Sequence, residues 1–245
     1  MFCVGTSGWS YAHWQGVFYP EGLPAQRRLD FYAGEFGCTE LNASFYRSPK
    51  EATIRRWAQR VPEHFFFCIK MHRRITHQFR LRMEREQLAR VMDPFFPWLA
   101  DRLGPFLVQL PPNLAFDAGT AERFFGLLRE YPIRSRFALE ARHPEWFTPE
   151  ALELAERYGI GMVVADSGGR FPGTEAVTAP FVYLRFHGPN GSYAAPYPAA
   201  ALAEWAGKIR GWLGRGLEVW AFFNNDLGGH AVSNARELRT LVQGE

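Results

Sequence analysis

Short apolar runs recur along the chain, and most close on a polar residue before helical spacing begins. Eight can be counted: Phe2 to Thr6, Cys38 to Asn42, Phe65 to Lys70, Phe106 to Leu110, Phe137 to Glu140, Gly161 to Asp166, Val182 to His187 and Glu218 to Asn224. Most are too short for helices. Near-continuous apolar character, as in Phe65-Phe66-Phe67-Cys68-Ile69, is what a strand covered on both faces requires, and it predicts a parallel sheet.

Helix signals fall between the runs. Ser48-Pro49-Lys50-Glu51 offers a capping oxygen, a proline for the first helical position and a glutamate for the third, predicting a helix through Ile54, Trp57 and Ala58. Thr148-Pro149-Glu150 repeats much of that signal ahead of Leu152 and Ala155, with Gly159 as the stop. Leu202, Trp205, Ile209 and Trp212 keep helical spacing before the eighth run, and Ala231, Ala235, Leu238 and Val242 keep it after. Trp57, Trp205 and Trp212 are read as core. The stretch from Ser167 to Gly173 reads as loop, which makes the unit after the sixth strand irregular.

Eight strand–helix alternations in 245 residues predict an α/β chain forming one domain, residues 1–245, as a single TIM-type (β/α)8 barrel. An open doubly wound sheet is the alternative. The chain lacks G-x-G-x-x-G after the first strand and has no P-loop, which argues against a dinucleotide fold.

Composition narrows the class. Hydrophobic residues at 47% and charged ones at 22% describe a globular chain and exclude a disordered or fibrous one. A net charge of +3 is too mild to require a polyanionic partner. Its distribution is less even: Lys70, Arg73, Arg74, Arg80, Arg82, Arg85 and Arg90 are opposed only by Glu84 and Glu86. Cys3, Cys38 and Cys68 are an odd set without C-x-x-C spacing, expected as buried free thiols. The N-terminus lacks a secretion signal, and no run approaches the roughly 18 apolar residues that span a bilayer. The expectation is a cytoplasmic protein with no membrane partner.

A barrel builds its active site at the C-terminal ends of its strands, so the residues closing each run are the candidates. Glu40, Lys70, Glu140, Asp166 and His187 are read as catalytic. Trp9, Asn42, Tyr46, Arg47, His77, Gln109, Arg142, His143, Arg185, Asn224 and Asn225 are read as substrate-binding. Period two puts Tyr183, Arg185 and His187 on one face of the seventh strand, Leu184 and Phe186 on the other, and pairs Glu40 with Asn42. Each charge has a plain structural reading as half of an ion pair. Their convergence points to function, because burying unpaired charge is costly.

Seven motifs, in order, carry a resemblance: Gly5-Thr6-Ser7-Gly8-Trp9, Phe45-Tyr46-Arg47, Ile75-Thr76-His77, Gln109-Leu110-Pro111-Pro112, Glu140-x-Arg142-His143-Pro144-x-Trp146, Arg185-Phe186-His187-Gly188 and Phe223-Asn224-Asn225-Asp226. Together they resemble the YecE-like family, also catalogued as domain-of-unknown-function family seventy-two, nearly end to end. The resemblance implies a TIM-type barrel and no particular reaction.

The residues support an enzyme, a hydrolase, lyase or isomerase, acting on a small anionic, phosphorylated or sugar-like substrate. Arginines would hold the anion, and a carboxylate or His187 would serve as base. Lys70 would form a Schiff base if burial lowered its pKa, or else pair with Glu40 or Glu140. No cofactor is favoured. Magnesium or manganese on Glu140, Asp166, His187 and Asn224 is the metal alternative, opposed by the cations Lys70, Arg142 and Arg185. Nucleic-acid binding through the basic stretch, with or without phosphodiester cleavage and with aromatic stacking by Trp9, Trp14, Phe45, Tyr46 and Trp146, is the second reading, and a non-catalytic interaction protein the third.

Overall fold

The computed structural model describes residues 1–131 and 136–244. The eight expected strands form, with ends shifted by a residue at most: β1 Phe2–Thr6, β2 Cys38–Leu41, β3 Phe66–Ile69, β4 Phe106–Gln109, β5 Phe137–Glu140, β6 Ile160–Asp166, β7 Phe181–Phe186 and β8 Glu218–Phe223. The helices are α1 Arg28–Glu35, α2 Ala43–Tyr46, α3 Glu51–Arg60, α4 Arg85–Met92, α5 Phe96–Leu99, α6 Ala118–Arg129, α7 Pro149–Arg157, α8 Ala199–Gly214 and α9 His230–Gln243. Between β6 and β7 the described chain has no helix, in keeping with the irregular unit read from Ser167-Gly168-Gly169.

The sheet departs from a continuous eight-strand ladder. Six strands form a curled parallel half-barrel in the order β1-β8-β7-β6-β5-β4, and β2 pairs with β3 in a separate two-stranded ladder. Only isolated bridges cross the two seams, Ser7 to Glu40 on one side and Phe67 to Leu103 and Lys70 to Leu107 on the other. A side chain accounts for the first interruption. The Tyr32 hydroxyl accepts from the Thr6 amide at 2.9 Å and lies 3.1 Å from the Cys38 carbonyl as its donor, so a phenol stands between the backbone groups of β1 and β2. Gly5 completes the arrangement, since a methyl group there would run into the Cys38 carbonyl and the same phenol.

Two apolar layers cover the sheet. The outer one packs the helices on the strands, with Leu184, Phe186, Ile209, Trp212 and Leu238 among its buried members. The inner one, built from Cys38, Cys68, Leu107, Val163, Tyr183, Trp220 and Phe222, fills the space the strands curl around. All three cysteines are free; Cys38 and Cys68 are buried, while Cys3 is half-buried, short of the full burial expected.

Local chemistry follows the sequence signals in one helix and departs from them in another. Thr148 accepts from the Ala151 amide and Pro149 opens α7. Ser48 does not cap α3, which starts after Lys50 in extended conformation without a side-chain cap. Trp57 and Trp205, read as core, are only half-buried, whereas Trp212 is buried.

Candidate functional site

Period two on β7 sends Tyr183 and Arg185 inward, and the chain turns after Phe186 to bring His187 beside them. Arg185, 1% exposed, anchors the site. Its Nε and Nη2 donate to the two oxygens of Glu40 at 2.9 and 2.7 Å, and its Nη1 donates to Glu140 at 2.5 Å. Glu40 also accepts from Ser7 Oγ at 2.7 Å and Tyr183 Oη at 2.8 Å. Glu140 accepts from Arg142 at 3.1 Å and lies 3.0 Å from His187 Nε2. Both carboxylates are therefore held by three partner residues each, and buried charge survives only with such pairing.

The electrostatics follow from that geometry. Burial pushes the Glu40 carboxyl up, but the charge and hydrogen bonds of Arg185 outweigh it and hold the pKa below the ordinary value. Burial acts the same way on Glu140, and Arg185, Arg142 and His187 hold that carboxyl well below the usual range. Burial lowers the His187 pKa, and together with the charges of Arg185 and Arg142 it outweighs Glu140, which raises it. A neutral His187 then donates Nε2–H to ionised Glu140 and turns its Nδ1 to the Asn224 amide, 3.3 Å away.

Lys70 stands apart in this company. It closes β3 half-buried, its Nζ lies 4.3 Å from the centre of the Phe45 ring, and among the described residues it forms no ion pair. Burial, with the charge of Arg185, pulls its pKa down to about 8. His77 borders the same space from a π-helical turn, Arg74–Gln78, its ring 5.1 Å from Phe45 and its Nδ1 2.8 Å from Thr76 Oγ1. Arg142 lies over the Phe171 ring at 4.4 Å. Two carboxylates face three cations, so the cluster carries a net positive charge at neutral pH.

The other candidates disperse. Asp166 pairs in register with Phe186 rather than Arg185, so it shares Phe186's outward face; its carboxylate takes the Trp205 indole N–H at 3.1 Å and the Gly168 amide at 3.2 Å. His143 accepts from the Glu145 amide and caps the short turn Pro144–Phe147. Asn225 clasps Ala195 and Asn234, each at 3.0 Å. Gln109 is buried in register with Glu140, its amide donating to the Leu110 carbonyl at 2.7 Å. Asn42 weakly approaches the Ser7 carbonyl at 3.5 Å. Trp9 is buried against Trp57, while Tyr46 and Arg47 are exposed. Ser7, Tyr183 and Phe171 were not among the candidates, and Phe45 was one only as a stacking residue of the nucleic-acid reading. Period two already put Tyr183 on the face of Arg185, and Ser7 and Phe45 lie inside quoted motifs, but nothing local marked Phe171.

The metal alternative fits poorly with these positions. The Glu140 oxygens are taken by two arginines and a histidine, and Asp166 faces away. Among the described residues no group of three or more His, Cys, Asp or Glu side chains is disposed to hold a metal ion. No described helix is long and apolar enough to cross a membrane.

Fold and site together define an α/β protein with a curled parallel sheet and a buried arginine–carboxylate network at the carboxyl ends of its strands. The chain belongs to the DUF72 family, described as proteins of unknown function, whose model matches residues 3–245. It is 25% identical to the UPF0759 protein YunF of Bacillus subtilis strain 168, over 99% of this chain and 95% of that one. A DUF72 family crystal structure from Thermotoga maritima superposes with a TM-score of 0.85 at 29% identity, covering 99% of each chain. One from Enterococcus faecalis, at 21% identity and covering 99% of this chain and 96% of that one, gives 0.82 and shares the fold.

Proposed function

We propose that this protein is an enzyme, one domain over residues 1–245 closing as a TIM-type barrel, that binds a small anionic carbonyl compound and reacts with it through Lys70. The observation that carries this reading is Lys70 itself: an amine with a pKa of about 8, without an ion-pair partner among the described residues, beside a cluster of net positive charge. Glu40 accepts four hydrogen bonds and Glu140 three, and both serve as positioning groups for Arg185. Lys70 is left as the available nucleophile. Its neutral form adds to the carbonyl carbon, water leaves, and the resulting imine, once protonated, draws electrons from the adjacent carbon. That chemistry suits a lyase or isomerase better than a hydrolase. Arg142 supplies a charge for the substrate's anion.

Reductive trapping tests the reading. Glyoxylate, an aldehyde carrying a carboxylate, forms an imine with an amine, and cyanoborohydride delivers a hydride to fix it as a carboxymethyl group. The chain has only three lysines, Lys50, Lys70 and Lys208, and Lys50 and Lys208 are exposed. Mass spectrometry is expected to find Lys70 modified first, with labelling that rises through pH about 8 and falls with added phosphate. Labelling confined to Lys50 and Lys208 would refute the proposal.

Exposed Arg73, Arg74, Arg82, Arg85 and Arg90 favour a second reading, nucleic-acid binding. On that reading an oligonucleotide binds and is released as salt rises; affinity indifferent to salt removes it.

A further inference from the structure

Beside the charged network a cavity of about 490 Å3 opens between residues 8–11, the segment leading into α1, the end of β2 and the outer turns of α3. Small-molecule sites commonly measure about 300–1,000 Å3, so the space suits a ligand of moderate size. Its walls are mainly apolar and aromatic. Trp9 and Trp57 meet edge to face, their centroids 5.5 Å apart, and Tyr46 stands beside them 70% exposed. Gln26 and Asn42 bring amides to the lining. Of the two arginines there, Arg60 is engaged by Asp30 and the Gln26 carbonyl, while Arg56 is exposed.

We infer that this cavity binds a flat heterocycle with hydrogen-bonding edges and an attached anionic group, the chemistry of a nucleoside monophosphate. Asn42 lines the cavity with an amide oxygen that is buried and has no hydrogen-bond partner among the described residues, fit to take a donor from the ring's edge, and Arg56 at the exposed rim offers its charge to the anionic group. The ring lies against Tyr46 and Trp57, its edge meets the amides, and its phosphate meets Arg56. Stacking on aromatic faces tolerates any base, while the amides and Arg56 set orientation.

The cavity is joined to the charged network through one wall. The Tyr11 hydroxyl donates to the Ser7 carbonyl at 2.5 Å, and Ser7 Oγ donates to Glu40. As a subsite for the substrate of Lys70 the cavity rests on the function proposed above; as a binding site it does not.

Titration with adenosine 5′-monophosphate, adenosine and ribose 5-phosphate, followed by calorimetry and indole fluorescence, tests the assignment. The monophosphate is expected to bind saturably and to quench Trp emission, with the other two weaker. Arg56→Gln should lower monophosphate affinity about tenfold and leave adenosine unchanged, as loss of a charge-assisted contact predicts. Tyr46→Ala, at an exposed position, should weaken monophosphate and adenosine alike by about fivefold or more. No saturable monophosphate binding up to about 5 mM, or ribose 5-phosphate binding as tightly as the monophosphate, would overturn the assignment, as would undiminished affinity in both variants. Glyoxylate trapping in the same two variants keeps the proposals separable, because glyoxylate has no ring. Trapping without monophosphate binding removes the cavity assignment alone, and monophosphate binding without trapping removes Lys70 alone.

Discussion

Burial lowers Lys70 from its ordinary 10.5 to about 8, so between those values the unfolded chain binds more protons than the folded one. Stability therefore rises with pH across that window, and below it the ammonium weighs on the fold in full. Lys70→Met is expected to be more stable than the natural protein by about 3 kcal/mol at pH 7. That gap should close as urea unfolding is followed from pH about 8 to 10.5. A gap that persists unchanged to high pH would mean that packing, not charge, separates the two. Arg185 presents the opposite case. With it present, Glu40 and Glu140 sit below their ordinary 4.5, and the stability they contribute is held above that pH and lost as pH falls through their folded values. Arg185→Met takes from Glu40 its one ion-pair cation among the described residues and leaves Glu140 with Arg142 and His187, an expected loss of about 3–5 kcal/mol at pH 7. Burial then raises Glu40, so the variant's stability should recover on acidification toward pH 5, where the natural protein gains nothing. Urea melts at the two pH values decide it.

The elements divide according to how local their causes are. All eight strands were legible because each is an apolar run bounded by turns, and α7 because Thr148 and Pro149 lie next to what they cap. The charged ends of β2, β3, β5 and β7 were legible by the same token. Asp166 was misplaced by a single register step, since on a strand one residue exchanges the inner face for the outer. His143 and Asn225 sit in the expected segments, but their partners, Glu145 and Asn234, turn them to structural work. The seam between β1 and β2 was not legible at all. It depends on Tyr32, far along the chain from Thr6 and on a helix, reaching both backbones. Tyr32→Phe removes the hydroxyl and leaves a buried amide and a buried carbonyl without that partner, an expected loss of about 1–3 kcal/mol. Hydrogen exchange should show the Thr6 amide losing protection well before those of β7; equal protection would mean that the two backbones close directly on each other.

At the scale of the molecule, the half-barrel joins the chain's beginning to its end. β1 pairs with β8 through the whole register from Phe2 with Val219 to Thr6 with Phe223, whereas its tie to β2 runs through a bridge and a phenol. Ribosomes deliver the chain from the N-terminus at about 5–20 residues per second. β1 thus leaves the tunnel well before the β8 strand that completes its ladder, and must wait some ten seconds or more at that pace. Through that interval its Phe2, Cys3 and Val4 have only the β2 side to shelter them. Until β8 emerges that apolar edge lies open to other chains, so the span of synthesis between β1 and β8 is when this sequence is most prone to stick to its neighbours.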